Sequence, residues 1–420
     1  MTAAQARRRY LVLLALRWFP VGLSVPLTVL LPLDRGLTLA EVGLAASLQG
    51  LVVLVLELPT GGLSDSWGRR PVLIAASAVA VVAMAAQVVA DSFWMFAVVY
   101  ALQGIYRALD SGPLDSWYVD ATLAADPGAR LEKGLSEGAT VVGVAIAAGA
   151  LATGGVVAWV EVPGVPTLVV PIALALVVQL AGLVAVALLV SDPPHPDGRR
   201  TLRASLRQVP AVIVSGVRLV RRSRVLPALL AVELSWGFGM ITFEALLPVR
   251  LAEQVGDREA AAAITGPAGA AAWLASAVGA ALVPLVTSRF GVARTAISLR
   301  LLQGLSVVGM GLLAGPAGAI AGYLATYVVH GAANPAHMTL LHREVDSGQR
   351  STILSMNSML AQPAGSLGLV VLTAIAGGWS VSGAMVVGAV VLALAAPLYL
   401  PALRAESTQD GVPRGGSRST

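Results

Sequence analysis

The sequence predicts an all-α membrane protein with twelve transmembrane helices. Of its 420 residues, 56% are apolar and only 12% are charged, and the mean hydropathy is +0.79. A soluble protein of this length would carry more charge. A helix needs about 20 apolar residues to cross the hydrocarbon layer of a bilayer. Runs of that length recur along almost the whole chain, and because their number is even, we expect both ends of the chain on the same side.

Short polar segments separate the expected spans, except at one long connection in the middle of the chain. The spans cover residues 10–33, 42–60, 72–90, 93–114, 138–160, 168–190, 226–247, 261–286, 293–314, 317–341, 352–376 and 381–400. We therefore expect an amino-terminal six-helix bundle (1–190), a linker (191–224) and a carboxy-terminal six-helix bundle (225–400). The tail (401–420) is polar and rich in Gly and Ser, so we expect it to be disordered.

The basic residues predict the orientation. Loops rich in Lys and Arg stay in the cytoplasm, and nearly all the basic loop residues fall on the side of the two termini. Only Arg35, Arg250 and Arg258 fall on the other side. We expect a multi-pass protein of a cytoplasmic (inner) membrane with both termini inside. Lysine is almost absent beside abundant Ala, Val, Leu and Arg, a composition typical of a GC-rich bacterial genome.

The linker is basic and repeats apolar residues at helical spacing. This pattern predicts an amphipathic helix that lies on the inner leaflet and binds anionic lipid. A docking site for a soluble partner is the less favoured interpretation.

The composition argues against several kinds of function. The chain has no cysteine and only four scattered histidines, so we expect no metal and no cofactor. The net charge of +5 would suit nucleic acid, but the basic residues lie in membrane loops, which favours contact with the lipid bilayer and no nucleic acid. The sequence has no phosphate-binding loop and no nucleophile–base–acid constellation, so we expect neither an ATP-driven pump nor an enzyme. We expect a monomer that binds a small-molecule substrate.

The most specific motif lies between the second and third spans, where residues 61–73 read GGLSDSWGRRPVL. It contains two glycines, one acid and two adjacent arginines: Gly61, Gly68, Asp65, Arg69 and Arg70. The glycines allow a very tight connection between two helices. The acid and the arginines can pair in one conformation and separate in another, which favours a role in gating.

This segment resembles the signature G-x-L-x-D-x-x-G-R-[RK]-x-x-L of the major facilitator superfamily. The resemblance implies two pseudo-symmetric six-helix bundles around a central cavity, and transport by alternating access. It also implies that Asp65, Arg69 and Arg70 engage neighbouring helix ends and stabilise the outward-facing state, with Asp115 or Asp120 as possible partners. Glu57 lies one turn from the motif, and we expect it to take part in the same latch.

An internal repeat should relate the two halves. When the motif is aligned with the second half so that Gly68 matches Gly291, Asp65 falls on Ser288. The second copy has kept the turn and lost the acid. Any charge-based latch is therefore expected mainly in the first half.

Ionisable residues inside spans usually face a partner or a wet cavity. Arg17, Arg107 and Asp110 lie in the first and fourth spans. Arg107 and Asp110 are three residues apart on one helix, so they can neutralise each other. A structural intrahelical pair and a role in coupling both remain open.

The seventh span carries Glu233, Trp236, Met240 and Glu244 at a spacing of three to four residues. Eleven residues at 100° each bring Glu244 to within about 20° of Glu233, so the four share one face. Acids supply attraction and proton exchange, while Trp and Met supply adaptable apolar contact. We expect this face to line a cavity for amphipathic or cationic solutes, with the alternative that Glu244, near the outer end, meets bulk water.

Polar residues in the tenth and eleventh spans could line the second half of that cavity. They are His330, Asn334, Asn357 and Gln362. Hydrogen bonding between helices is the simpler interpretation of these side chains.

The leading hypothesis is a secondary transporter that exports small drug-like or amphipathic molecules in exchange for protons. The alternative is uptake or efflux of a polar metabolite, which predicts more Asn, Gln, Lys and Arg in the cavity. A membrane enzyme or a non-transporting receptor is the distant alternative.

Overall fold

The computed structural model describes residues 1–191, 214, 218–221, 223–346 and 350–410, without the side chains of 58, 61, 62, 64–66, 350–352 and 408–410. The described chain is helical and contains no strand. Its twelve principal helices are α1 Ala3–Ser24, α2 Leu39–Trp67, α3 Arg69–Val89, α4 Phe93–Asp110, α5 Leu131–Trp159, α6 Val170–Leu189, α7 Leu226–Glu244, α8 Arg258–Phe290, α9 Val292–Leu312, α10 Gly315–Arg343, α11 Arg350–Gly378 and α12 Val381–Leu394. The expected amphipathic helix of the linker lies almost wholly outside the described residues.

The predicted order of twelve helices is confirmed. Ten of the described helices are long and apolar enough to cross a membrane. The other two, α4 and α10, occupy the places predicted for the fourth and tenth spans. Polar residues such as Gln103, Arg107 and Asp110 reduce the hydropathy of α4. The protein is therefore a multi-pass membrane protein.

Side-chain caps explain where several helices begin. Asp257 precedes α8 and accepts a hydrogen bond from the Ala260 N–H at 2.6 Å. Ser380 precedes α12 and accepts one from the Gly383 N–H at 2.9 Å. Such caps satisfy N–H groups that have no partner in the first turn of a helix.

The fourth span ends earlier than the sequence predicted. The expected helix 93–114 stops at Asp110, because Gly112 has a φ of +93° and Pro113 begins a new helix, Pro113–Ala125. Proline favours the first turn of a helix and cannot continue the preceding one. The break turns the chain into a separate short helix at the end of the bundle.

The connection between α2 and α3 is a single residue. α2 continues through Gly61 as far as Trp67, and α3 begins at Arg69, so Gly68 alone makes the turn. Gly68 has φ 95° and ψ 161°, a conformation that only glycine adopts easily. The expectation that both glycines form the connection was wrong for Gly61.

The same turn occurs in the second half. Gly291, the residue that the sequence alignment of the halves matches to Gly68, stands between α8 and α9 with φ 80° and ψ 160°. The close match of backbone angles at aligned positions supports the pseudo-symmetry of the two halves.

The two ends of the helix bundle are packed differently. We call the end that contains the start of α1 the proximal face and the opposite end the distal face. Near the distal face, buried apolar residues of both halves form one continuous cluster, which includes Leu27, Leu30, Phe243 and Leu246. Near the proximal face, each half has its own cluster of buried apolar residues. The cluster of the first half lies around Trp117, and the other cluster belongs to the second half.

Close helix contacts between the halves also lie towards the distal face. Gly266 of α8 packs on the Ala150 carbonyl of α5, and Gly154 of α5 packs on the Ala263 carbonyl of α8. At the second seam, Ser366 of α11 donates a hydrogen bond to the Ser47 carbonyl of α2 at 2.9 Å. The halves are therefore closed against each other distally.

The first part of the tail is ordered, which corrects the expectation of disorder from residue 401. A helix, Leu400–Asp410, follows α12. Glu406 fixes it by pairing with Arg343 at 2.6 Å and by accepting a hydrogen bond from the Ala293 N–H at 3.1 Å. Residues 411–420 lie outside the described part of the chain.

Candidate functional site

A cavity of about 510 Å³ lies between the two halves. Its volume is within the range of small-molecule sites. Residues of both halves line it, and the polar and aromatic ones are Arg17, Trp18, Ser24, Thr28, Gln49, Gln87, Tyr100, Gln103, Tyr106, Arg107, Asp110, Phe243, Glu244, Thr265, Trp273, Tyr323 and Tyr327. The distal apolar cluster closes the cavity on that side, since Phe243 and Leu247 belong both to the cluster and to the wall.

An ion pair between α1 and α4 forms part of the wall. The Arg17 guanidinium contacts the Asp110 carboxylate, and a second Arg17 nitrogen donates to the Asp110 carbonyl at 3.2 Å. Tyr106 lies beside both partners. The intrahelical pair of Arg107 with Asp110, one of the two interpretations of the sequence, does not form, because α1 packs on α4 and presents Arg17 to the buried acid.

Arg107 faces the cavity instead. Its side chain is exposed there, and it interacts electrostatically with Glu57 of α2. No described acid lies within 4 Å of its guanidinium, and one carboxylate oxygen of Glu57 is buried without a hydrogen bond. The expected contribution of Glu57 to a latch remains a prediction, but the structure places it near Arg107.

Glu244 ends α7 and lines the cavity. Its carboxylate accepts a hydrogen bond from the Tyr327 hydroxyl, and the ring of Tyr323 packs edge-on against that of Tyr327 at 4.8 Å. Leu246 and Leu247, which follow, are buried in the distal cluster. Glu244 itself is exposed, so it meets water within the cavity, and the alternative that it simply meets water stays open.

The face of α7 that the sequence predicted is divided between two environments. Met240 and Glu244 line the cavity, whereas Glu233 is buried inside the second half and Trp236 lies outside the cavity wall. Trp236 stacks on His330 with 5.7 Å between ring centroids. Glu233 and Trp236 are displaced from the cavity because α10 and α11 cover the proximal part of α7.

Glu233 belongs to a buried polar network. Its carboxylate lies 3.3 Å from the His337 Nε2 of α10, and the Asn357 Oδ1 of α11 lies 3.3 Å from the same nitrogen. The other ring nitrogen of His337 lies 2.9 Å from the Tyr399 hydroxyl. Arg300 of α9 is buried nearby and attracts the Glu233 carboxylate. This network links four helices of the second half and lies apart from the cavity.

The remaining predicted residues of the second half also lie outside the cavity wall. His330 packs among Trp236, Phe243 and Tyr327, and Asn357 belongs to the Glu233 network. Asn334 is exposed, and Gln362 lies at the contact of α11 with Gly50 of α2. Hydrogen bonding and packing between helices, the simpler interpretation of these residues, describes Asn357 and His330.

The motif of the first half makes its described contacts within that half. Arg69 forms an ion pair with Asp120 on the helix Pro113–Ala125, and an Arg70 nitrogen donates to the Ala187 carbonyl of α6 at 2.7 Å. Asp115 accepts a hydrogen bond from the Tyr10 hydroxyl at 2.7 Å. Of the two acids that the resemblance implied, Asp120 is the one that pairs with the motif, while the Asp65 side chain lies outside the described residues.

Sequence reasoning missed several polar residues. They are Gln49, Gln87 and Gln103 in the cavity and His337, Arg300, Gln303 and Tyr399 in the buried network. His337 lies seven residues after His330, on the same face of α10, and that spacing could have indicated it. The glutamines lie on three different helices, so no pattern along the chain connects them.

Residues 11–369 match the sequence profile of the Major Facilitator Superfamily. The chain belongs to this superfamily. The profile covers most of the chain and both halves, so it accounts for the twelve-helix fold as well as the motif. The resemblance seen in residues 61–73 is thus confirmed.

Solved transporter structures share the fold of this chain. The nucleoside transporter NupG has a TM-score of 0.77 at 11% sequence identity, covering 95% of this chain and 99% of that one. A bacterial homologue of the human lysosomal transporter Spinster, in an inward-facing and occupied conformation, has a TM-score of 0.76 at 14% identity, covering 97% and 98%. A structure from a study of substrate recognition in proton-dependent oligopeptide transporters has a TM-score of 0.72 at 12% identity, covering 96% and 100%. Comparison with curated protein sequences gave no match.

These identities establish the fold alone. The superfamily and the transporter folds indicate a transporter rather than an enzyme.

Proposed function

We propose that this superfamily member exports a small amphipathic molecule across the cytoplasmic membrane of a bacterium, in exchange for protons, by alternating access. The observation that carries the proposal is the cavity between the halves. At the distal face one apolar cluster shared by both halves closes it, whereas at the proximal face each half has its own apolar cluster. A central site that two packed halves can expose in turn is what alternating access requires.

The orientation follows from the charges. The proximal loops hold nearly all the basic loop residues, so the proximal face is the cytoplasmic one and both termini lie inside. The structure then corresponds to an inward-facing conformation. In this conformation a substrate enters the cavity from the cytoplasm.

The lining favours an amphipathic substrate. Tyrosine and tryptophan rings from both halves alternate with Met84 and Met240, and polar groups occur at intervals among them. Aromatic rings and thioethers adapt to apolar bodies of different shape. The few polar groups would fix the orientation of the bound molecule.

Proton coupling is assigned to the carboxyl groups of the second half. Glu233 is buried 3.3 Å from His337, and Arg300 attracts it without forming an ion pair. A carboxyl inside a membrane protein that has a polar partner but no fixed ion pair can gain and lose a proton as the halves move. Glu244 is a second carboxyl of this kind, and it faces the substrate.

A second function, transport of a polar metabolite, is favoured by one observation. Three glutamines and two arginines line the cavity, which is more than the amphipathic hypothesis expected. The structural neighbours that transport nucleosides and oligopeptides supply suitable test compounds.

Flux into proteoliposomes tests both functions. The purified full chain is reconstituted, and uptake of amphipathic amines, nucleosides and short peptides is measured with and without an imposed pH gradient. We expect gradient-driven accumulation of an amphipathic compound, abolished by a protonophore. Accumulation of nucleosides alone would support the second function, and the absence of flux for every compound would contradict both.

A further inference from the structure

The cavity contains four charged side chains, and two of them neutralise each other. Arg17 and Asp110 form an ion pair on the wall of the first half. Arg107, also of the first half, and Glu244 of the second half remain. Their environments indicate which charged groups a substrate needs in order to bind.

Glu244 lacks a cationic partner. In the described chain, its one polar side-chain contact is the Tyr327 hydroxyl, and no described arginine or lysine forms an ion pair with it. Two tyrosines lie beside this carboxylate: Tyr327 bonds to it, and the Tyr323 ring packs against the Tyr327 ring at 4.8 Å between centroids. A carboxylate that has no cationic partner and lies beside tyrosine rings is a site for an ammonium group.

Arg107 lacks an anionic contact. Its guanidinium is exposed to the cavity, and Glu57 attracts it without reaching ion-pair distance in the described structure. A guanidinium in this situation binds a carboxylate or phosphate through two parallel hydrogen bonds. The first half therefore offers an anion site.

The repeat indicates how deep each charge lies. In the alignment that matches Gly68 to Gly291, Arg107 corresponds to His330 of the second half, and His330 packs beside Tyr327 at 5.9 Å between ring centroids. Tyr327 is three residues from His330 along α10, a rise of about 4.5 Å. Aligned residues of two pseudo-symmetric halves lie at the same depth, and Tyr327 bonds to Glu244. Arg107 thus lies about one helical turn proximal to the level of Glu244, across the cavity.

We infer that the substrate is an amphipathic zwitterion, whose amino group binds Glu244 and whose acidic group binds Arg107. The inference rests on the proposed transport function and specifies its substrate class. A molecule with both charges neutralises both unpaired groups, whereas a simple cation or anion leaves one of them desolvated and unpaired when the cavity closes. Because the two charges belong to different halves, the zwitterion also bridges the halves.

A matched set of rigid compounds tests the charge requirement. The zwitterion is 4-(aminomethyl)benzoate, the cation 4-methylbenzylamine, the anion 4-methylbenzoate and the neutral compound 4-methylbenzyl alcohol. The corresponding biphenyl series gives a longer distance between the charges. Binding of each compound to the purified full chain is measured by calorimetry, independently of any flux.

We expect one of the two zwitterions to bind at least tenfold more tightly than its singly charged relatives, because it makes a hydrogen bond to a charged group on each half instead of on one. Glu244→Gln should weaken the zwitterion and the cation about tenfold and leave the anion unchanged. Arg107→Gln should weaken the zwitterion and the anion and leave the cation unchanged. Arg107→Lys, which keeps the charge, should restore part of the affinity and also shows that the site remains folded.

Several results would contradict the inference. A zwitterion that binds no better than the cation, or that is unaffected by Arg107→Gln, overturns the inference. Absence of binding by all eight compounds also overturns it for this chemistry. Gradient-driven flux of other amphiphiles would meanwhile leave the transport function standing, so the two failures can be distinguished.

Discussion

Arg343 and Asp120 occupy equivalent positions in the two halves and have opposite charge. The equivalence follows from the alignment that matches Gly291 to Gly68. Asp120 pairs with Arg69 at the start of α3. Arg343 pairs with Glu406 of the tail helix at 2.6 Å, and Glu406 also bonds to the Ala293 N–H at the start of α9. The second half has thus lost the acid of its motif, and a carboxylate from the tail occupies the corresponding helix start.

The tail carboxylate is expected to stabilise the second half. Glu406→Gln removes the ion pair and the negative charge at the start of α9, which should cost about 1 kcal/mol. A domain of this size would then unfold at a Tm lower by about 2–4 °C. Thermal unfolding of the purified protein in detergent measures the shift. Glu253→Gln is the control, because Glu253 makes only an exposed pair with Arg250 at 3.4 Å; equal Tm values for the two variants would contradict the assignment.

The motif of the first half is expected to control the rate of conformational change. Asp65→Asn and Asp120→Asn should slow transport while leaving insertion and substrate binding largely intact, because each removes a charge that holds one state. Exchange rates in proteoliposomes measure this, with Asp126→Asn as the control at the end of the same short helix. Transport by Asp65→Asn at the wild-type rate would remove the gating role.

The distal seal is expected to depend on Gly266. A Cβ at this position would meet the Ala150 carbonyl of the other half, so Gly266→Ala should weaken the seal and populate the distally open state. Gly269→Ala is a matched control on the same helix, because its Cβ would lie 3.9 Å from the nearest atom. The measurement is thiol labelling of a cysteine at Gln49 with an impermeant reagent from the distal side. Faster labelling in Gly266→Ala alone is the expected result, and equal rates in both variants would contradict it.

Glu233 is expected to couple transport to protons. Glu233→Gln should abolish accumulation driven by a pH gradient and spare exchange between substrate pools, because the amide cannot carry the proton. Gln can still contact His337 and Asn357, so the network should stay folded. Unchanged gradient-driven flux would exclude Glu233 and leave Glu244 or Asp110 as the coupling group.

The sequence predicted the helices better than the site. Hydrophobic runs and a thirteen-residue motif are patterns of residues that lie close together in the chain, so the spans and the turn at Gly68 could be predicted directly. Whether Asp110 pairs with Arg107 or with Arg17 depends on how α1 packs on α4, which spacing along one helix cannot show. The same holds for Glu233, whose partner His337 lies on another helix, and for the order that Glu406 imposes on a polar tail.

The orientation of the chain can be tested with single cysteines. Ser66→Cys, near the proximal face, should not react with an impermeant thiol reagent added outside cells, whereas Trp379→Cys at the distal face should react readily. Trp379 is 75% exposed and is a better site than its neighbour Ser380, whose hydroxyl caps α12. The native chain has no cysteine, so every signal comes from the introduced thiol. Labelling of Ser66→Cys from outside would reverse the topology.

The same cysteine-free background tests alternating access. Ser136 and Ser355 are exposed near the proximal ends of α5 and α11, on different halves. Spin labels at Ser136→Cys and Ser355→Cys should move closer together when a substrate populates the state closed at the proximal face, since a ligand shifts a two-state equilibrium by its differential affinity. Pulsed electron spin resonance measures the distance distribution with each transported compound. A distribution that stays the same with every such compound would show that these ends do not move during transport, and would contradict the rocking of one half against the other.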